Sequence, residues 1–570
     1  MLGLHIADIC ILGLYLAGMA AIGVWTARKI KKSADFFMPR SFGKAMMVMF
    51  GFGAGTHSDQ AVGVASKSFS SGLSGIWYQW LWLPCTPFYW LIAPVMRRFR
   101  AITTGDVFEA RYNRSVAMLY AVIGMMNLSV NIGLMLRGSS EVISASTQGL
   151  LSANLAILLM TVVFVVYGVA GGLAAAIITD FIQGILTIIF SFLLLPLILN
   201  AVGGMDGIRQ AIADPQKLSL VAPAGITAFY IAIIAFNGLV GIVTQPHTMS
   251  NCAAGKTEME GRFGWMFGNM LKRVCTVPWC LTGVAAIVYF TSKGIDVEPD
   301  KVFGAVAGDF LPKILPGVLG IFLAALLASV MSSCDAFMIA SSGLFTENIY
   351  RPLAPGRPQG HYVTVGRIAS VVVVSGGVAF AYGLRGVVEG LEIFWKISAM
   401  MGIAFWLGLF WRRMTTAGAW ATTLIGFAVM LFTSEIAFGE RMIWDFNKHF
   451  AAHLPQFMLF DGKLHLPWQM ILYLAAGLVS GIVASLLTKP VAKEKLDRFY
   501  ALTRTPITPG EQVSVACTLP EEAVVPEKRN IFPNTNLEIA IPSRTSVIGF
   551  LVGWVCVAVI ICSVYLIAKA

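Results

Sequence analysis

Long apolar runs, each closed by a short polar stretch, repeat along almost the whole chain. About fourteen of them are long enough, at about 20 residues each, to cross roughly 30 Å of hydrocarbon as a helix. They centre near residues 15, 55, 85, 125, 160, 187, 235, 278, 327, 373, 400, 426, 478 and 556. Two of these runs do not read as plain apolar helices. The stretch 50–66, "FGFGAGTHSDQAVGVAS", places Gly51, Gly53 and Gly55 directly before His57 and Asp59. The stretch 232–251, "AIIAFNGLVGIVTQPHTMSN", holds Gly238 and Gly241, the polar Asn237, Gln245 and His247, and Pro246 in mid-run.

Composition sharpens this pattern. The chain is 57% hydrophobic and 12% charged, with a mean hydropathy of +0.75. Soluble domains carry about twice that share of charge, so the sequence predicts an all-α, multi-pass protein of the cell membrane. The net charge of +11 is no nucleic-acid signal, because the basic residues sit in short loops between apolar runs. Alternate loops hold most of them: Arg28 to Lys44; Arg97 to Arg114; Lys256, Arg262, Lys272 and Arg273; Arg351 to Arg367; Arg412 and Arg413; and Lys489 to Arg544. Such a bias marks the cytoplasmic side and predicts both termini outside. The first run, Ile6 to Trp25, has its basic cluster "ARKIKK" after it and no small-residue cleavage site, which predicts an uncleaved helix. Cysteines show no paired or metal-ligand spacing and read as small apolar fillers. No nucleotide-binding loop, metalloenzyme motif or nucleophile constellation occurs, so an ATP-driven pump and an enzyme are both disfavoured.

The two interrupted runs lie five spans apart, so the same element opens each of two five-helix units. An odd number of helices per unit makes the second unit inverted in the membrane. Paired Gly/Pro-broken spans are the best sequence pointer to the central site of a transporter. Broken backbone frees carbonyls and N–H groups, and it survives at membrane depth only where it lines a cavity. Close helix packing at the glycines is the competing explanation.

Several motifs then become specific. "YGVAGGLAAAIITDFIQGI" (167–185) resembles the sodium:solute symporter family, with its Gly-Gly and Thr-Asp-x-x-Gln. "ASVMSSCDAFMIASSGLFTENIYR" (328–351) is similar to that family's sodium helix. "GLFWRRMTTAGA" (408–419) resembles its tenth core helix leaving the membrane, and "TQPH" (244–247) its proline-type "GQPH". The resemblance implies a LeuT-like fold of two inverted five-helix repeats with flanking helices, and sodium as coupling ion with no organic cofactor. It divides the chain into a first flanking helix with its loop (1–40), repeats at 41–205 and 206–413, two further helices with an outer loop (414–490), a cytoplasmic linker (491–544) and a last helix (545–570). It also implies a sodium site built from the carbonyls of Gly53 and Thr56, the hydroxyls of Ser332 and Ser333, and a carbonyl at Ser329. Spacing agrees: the three serines stand at i, i+3 and i+4 and share one helix face, and sodium, a hard cation, takes oxygen ligands.

Asp180 belongs to the shared motif, while Asp335 stands where relatives offer a hydroxyl. Two close carboxylates cannot both stay charged without a cation between them. The pair therefore predicts a second cation site, or a shared proton that supports proton coupling; pairing of Asp335 with a basic residue is the alternative. On the solute side, the resemblance and the cost of polar groups at this depth single out His57, Asp59, Gln60, Asn237, Gln245 and Lys396. "SDQ" (58–60) is similar to the sugar-type version of the family, whereas "QPH" leans to the proline type. A cavity-facing Lys396 would suit a carboxylate. Arg137 could do the same, although Glu141 lies one turn away and can pair with it. The tryptophans Trp77, Trp80, Trp82 and Trp395 read as interfacial anchors or cavity walls. The expected function is sodium-coupled import of a small polar solute by alternating access. A proton-coupled transporter or an ion-conducting pathway of the same fold is the alternative.

Overall fold

Glycine-rich and proline-containing segments interrupt the helices where the sequence predicts. In the computed structural model, which describes residues 4–27, 38, 40–222, 225–438, 441–508, 510–511, 513 and 515–569, the chain is almost entirely helical. The basic cluster after the first helix lies outside the described residues. Helix α1 is Ile6–Ala27. The first interrupted span forms α2 (Lys44–Gly53) and α3 (Ser58–Ser71), separated by four non-helical residues, 54–57. Helices α4 (Thr86–Arg98), α5 (Thr104–Arg111) and α6 (Arg114–Ser146) follow.

The next helix corrects an expectation. The two spans expected near 160 and 187 form one helix, α7 (Ala153–Leu193), of 41 residues. At 1.5 Å per residue it is about 60 Å long, twice the hydrocarbon thickness. The stretch contains no proline, and Gly171–Gly172 alone costs a helix too little to end it. Among the described residues, eight helices are long and apolar enough to cross a membrane, and five shorter apolar helices accompany them, which does not reproduce fourteen separate spans.

The second interrupted span forms α8 (Ala228–Ile242) and the short α9 (Thr248–Ala253), with residues 243–247 between them. Then come α10 (Glu258–Lys293), opened by a reciprocal Thr257–Glu260 cap, and α11 (Val318–Gly343), which carries the three serines. Helix α12 is Gln359–Gly383. The tenth core helix is itself divided into α13 (Val387–Ser398) and α14 (Gly402–Phe410). Helices α15 (Thr416–Phe432) and α16 (Leu466–Leu487) pack as a pair. Among its described residues the loop between them holds two antiparallel two-stranded ribbons, Glu435–Phe438 with Arg441–Asp445 and Leu459–Phe460 with Lys463–Leu464, and a short helix, Phe446–Phe450.

Three contacts position the site. Helices α2 and α3 lie against α10, α7 lies against α11, and α12 lies against α6. Gly51 allows the first: a Cβ there would stand 2.5 Å from the Gly264 carbonyl oxygen on α10. Phe42, just before α2, bridges the end of α9: its N–H donates to the Ala254 carbonyl at 3.3 Å and its carbonyl accepts from Lys256 N–H at 3.0 Å. The far ends of both interrupted spans are thereby joined on the basic side of the molecule.

The segment expected as a plain linker is docked. It forms α17 (Lys493–Arg504), whose Leu496, Phe499, Tyr500 and Leu502 are buried. Phe499 stacks on Phe99 at 5.5 Å, Tyr500 donates to the Gly408 carbonyl at 2.8 Å, and Glu511 pairs with the buried Arg100 at 2.5 Å. The apolar face of α17, hidden in a polar-looking stretch, is the physical reason. The last helix, α18 (Arg544–Lys569), packs on α4 and α10.

Candidate functional site

The break at 54–57 turns its carbonyls in two directions. Gly53 keeps one helical bond, from Thr56 N–H at 3.2 Å, and also accepts from the Ser333 hydroxyl of α11 at 3.1 Å. Ser332, one residue earlier, donates to Asp180 Oδ1 on α7. A side chain at position 53 would displace Ser332, since a Cβ would lie 2.7 Å from Ser332 Oγ and 3.4 Å from Asp180 Cβ. The hydroxyl of Thr56 and the second oxygen of Asp180 are buried and have no hydrogen-bond partner. Ser329 is buried too, but its hydroxyl bonds back to the Leu326 carbonyl at 2.8 Å. Asp335, 2% exposed, lies within charge-interaction range of Asp180, and its Oδ1 has no partner. No basic side chain is among the described partners of either acid. Tyr15 completes the cluster: it receives a hydrogen bond from Gln183 at 3.4 Å and feels both carboxylates.

The other side of the break faces a cavity. The Gly55 carbonyl accepts from Lys272 Nζ on α10 and from Gln60 Nε2 at 3.2 Å. His57 pairs through Nδ1 with Asp59 Oδ1, leaving Nε2 to accept from Gln60 Nε2 at 3.0 Å. With its second interrupted span the chain adds Gln245, His247 and Asn251; Phe337 on α11 packs between the two histidines at 6.2 and 5.0 Å. Trp82, Tyr89, Trp265 and Phe394 wall the cavity, and Asn269, Lys272 and Arg273 line it from α10. Its volume is about 40 Å³, room for roughly three waters. The carbonyls freed by the second break are answered by hydroxyls: Thr248 donates to Ile242 at 2.8 Å and Tyr120 to Thr244 at 2.9 Å.

Lys272 and Arg273 correct the sequence reading, which put them in a cytoplasmic loop. They are 6% and 1% exposed and lie in the middle of a continuous 36-residue helix. Two adjacent bases in a span looked like a loop because the apolar run resumes only after them; the helical period, continued from Thr257, was the signal that could have found them. Two expected solute contacts lie elsewhere. Asn237 does not line the cavity: its Nδ2 donates to the Trp395 carbonyl at 2.9 Å and its Oδ1 accepts from Tyr473 at 2.5 Å. Lys396 points to Gln469 of α16 at 3.4 Å, because α13 turns Leu391, Phe394 and Trp395 inward and the next position outward. Arg137 pairs with Glu141 at 3.0 Å. Of the tryptophans, Trp80 and Trp395 are fully buried and Trp82 lines the cavity.

The Sodium:solute symporter family model matches residues 36–426. The osmoregulated proline transporter OpuE of Bacillus subtilis (strain 168) is 27% identical over 441 residues, 74% of this chain and 87% of its own length. The sodium/glucose cotransporter of Vibrio parahaemolyticus is 25% identical, covering 73% of this chain and 83% of that protein. Among solved structures, a substrate-bound, outward-open Na+-coupled sialic acid symporter superposes with a TM-score of 0.70 at 17% identity, over 86% of this chain and 99% of that one. Mhp1, a nucleobase-cation-symport-1 family transporter, gives 0.52 at 12% identity, over 81% and 98%. Both share the fold.

Proposed function

The chain belongs to the sodium:solute symporter family and is a sodium-coupled symporter of the membrane, and we propose that its sodium site and solute cavity are the two faces of the break at residues 54–57. One observation carries this reading. The Gly53 carbonyl meets Ser333 on α11, and two residues later the Gly55 carbonyl meets Lys272 in the cavity. Sodium is one of the two transported species. Its oxygen ligands are the Gly53 and Thr56 carbonyls, the Ser332 and Ser333 hydroxyls and a carbonyl at Ser329. The donor set suits a hard cation: carbonyls and hydroxyls with one carboxylate beside them.

Sodium bound there holds the break against α11. The same four residues set the positions of the Gly55 carbonyl, His57 and Gln60 in the cavity, so the ion biases the chain toward the solute-competent arrangement. Solute reciprocally favours sodium. Inward release requires the Phe42–Gly255 bridge to part, which frees the joined ends of the two interrupted spans. Each sodium crossing 100 mV contributes about 2.3 kcal/mol beyond its concentration gradient. The two inverted repeats, 41–205 and 206–413, supply the rocking bodies. Basic loops favour a cytoplasmic position for the Arg97–Arg100 end.

Asp180 and Asp335 form a second cation site. Two buried carboxylates, each with an unpartnered oxygen and no basic partner among the described residues, favour this reading over a purely structural role.

The test is thermal stability of the purified protein in sodium, potassium and choline chloride, followed by uptake into proteoliposomes. Sodium-specific stabilisation that Ser333→Ala abolishes is the expected result. Equal stability in all three salts overturns the proposal.

A further inference from the structure

Resting on the symporter reading, the charge balance of the central cavity bears on the chemistry of the solute. Two basic side chains, Lys272 and Arg273, line this cavity, and no carboxylate is among its described lining residues. Asp59, next to the lining Gln60, is engaged by His57 and interacts electrostatically with Lys272. Arg273 donates to the Gln79 carbonyl at 3.2 Å and to Asn269 Oδ1 at 3.4 Å, and its Nε is buried without a partner. Among the described ion pairs, neither base takes part in one. Of the other buried acids, Asp180 and Asp335 lie across the break, on the side of Ser332, while Glu141 pairs with Arg137 and Asp8 accepts from Gly320 N–H at 2.7 Å. Two bases with no carboxylate among the described lining residues make this wall basic at membrane depth, where an unanswered charge costs several kcal/mol.

The same wall offers acceptors in need of donors. Gln60 Oε1 and Asn251 Oδ1, on side chains 4% and 2% exposed, have no hydrogen-bond partner, and His247 Nδ1 has none either. A neutral apolar solute would leave all of them and the charge unanswered. A solute with one carboxylate and one or more hydroxyls answers both.

We infer that the transported solute is a small hydroxylated carboxylate anion. Its carboxylate sits against Lys272 and Arg273, and its hydroxyls donate to Gln60 and Asn251. Arg273 gives planar two-point recognition that a lone lysine cannot supply. Sodium on the acidic side and an anion on the basic side then neutralise each face of the break separately.

The experiment compares acids with uncharged counterparts on the full-length protein: glycerate with glycerol, lactate with lactamide, gluconate with glucitol, and pantothenate with panthenol. Binding is read by thermal shift in sodium and in potassium. The expected result is a sodium-dependent shift with at least one acid, which binds with an affinity about tenfold or more above that of its neutral counterpart. Arg273→Gln is expected to remove that preference; Lys272→Met serves as the second variant if the first fails to fold, and the shift caused by sodium alone reports folding. Neutral compounds that bind as well as the acids overturn the anion assignment and leave the symporter reading intact. So does a sodium-specific shift to which no acid adds. Absence of any sodium-specific shift removes both.

Discussion

Gly53 and Ser333 meet across two helices 280 residues apart in the chain, the hydroxyl of one donating to the carbonyl of the other at 3.1 Å. A helix that ran unbroken through position 53 would give that carbonyl to its own backbone. Here the carbonyl keeps one backbone bond, from Thr56 N–H at 3.2 Å, and the end of the helix leaves its other lone pair open to Ser333. Ser333→Ala removes the hydroxyl and leaves the break. The expected result is a sodium affinity lowered by about tenfold or more, near 1.4 kcal/mol, with the solute affinity at saturating sodium little changed. Sodium titration of uptake measures it, and an unaltered half-saturation would remove Ser333 from the site.

Asp335→Asn addresses the second cation. The side chain keeps its shape and loses its charge beside Asp180. Fewer sodium ions per solute are expected, read as a lower Hill coefficient for sodium and a smaller charge-to-solute ratio in proteoliposomes. An unchanged ratio would return Asp335 to a structural role.

Gly51→Ala and Gly53→Ala separate packing from ligation. At position 51 the new methyl meets the backbone carbonyl of Gly264 at 2.5 Å, and backbone cannot rotate away. Overpacking of this kind costs about 1–3 kcal/mol, so a lower melting temperature is expected. At position 53 the methyl meets Ser332 Oγ at 2.7 Å, a side chain that can turn aside. Melting should move less there, while sodium stimulation is lost. A reversed order of the two effects would contradict this division of labour.

Lys396→Met is expected to leave solute selectivity unaltered, because Lys396 faces Gln469 of α16 and not the cavity. A competition profile across acids and neutral compounds checks it. A change of preference would place Lys396 back among the solute contacts.

Glu511 ties the docked segment to the buried Arg100. Burial pushes its carboxyl up, but the Arg100 guanidinium and the Thr508 N–H pull harder and hold it below the usual carboxylate range. A depressed carboxyl stabilises docking above its ordinary value and loses that stabilisation as pH falls through the depressed one. Residues 493–511 should thus stay protected from hydrogen exchange at neutral pH and open on acidification. Glu511→Gln should open them at neutral pH as well, and equal protection in both proteins would argue against this tie.

Much of this was written in local pattern. Alternating apolar runs gave a helical membrane protein, and Gly-rich or Pro-containing runs marked both interruptions within a few residues of where they occur. The serine spacing put three hydroxyl side chains on one face of α11. Each of these depends on backbone geometry over a few neighbouring residues, and sequence carries that directly.

Tertiary structure decided the rest. Nothing local separates Lys272 in a cavity from a lysine in a loop; the difference is the unbroken run of α10 from its cap at Thr257 and the neighbours that surround it. Lys396 looked inward by position, yet the packing of Trp395 fixed the rotation of α13 and sent it to α16. The segment 493–511 is polar by composition and gains its place from one apolar face that only a partner surface reveals. Which side of a helix is interior, and which charges balance one another, are properties of the assembled neighbours. Chain order does not encode them over a few residues, because they arise between segments hundreds of positions apart.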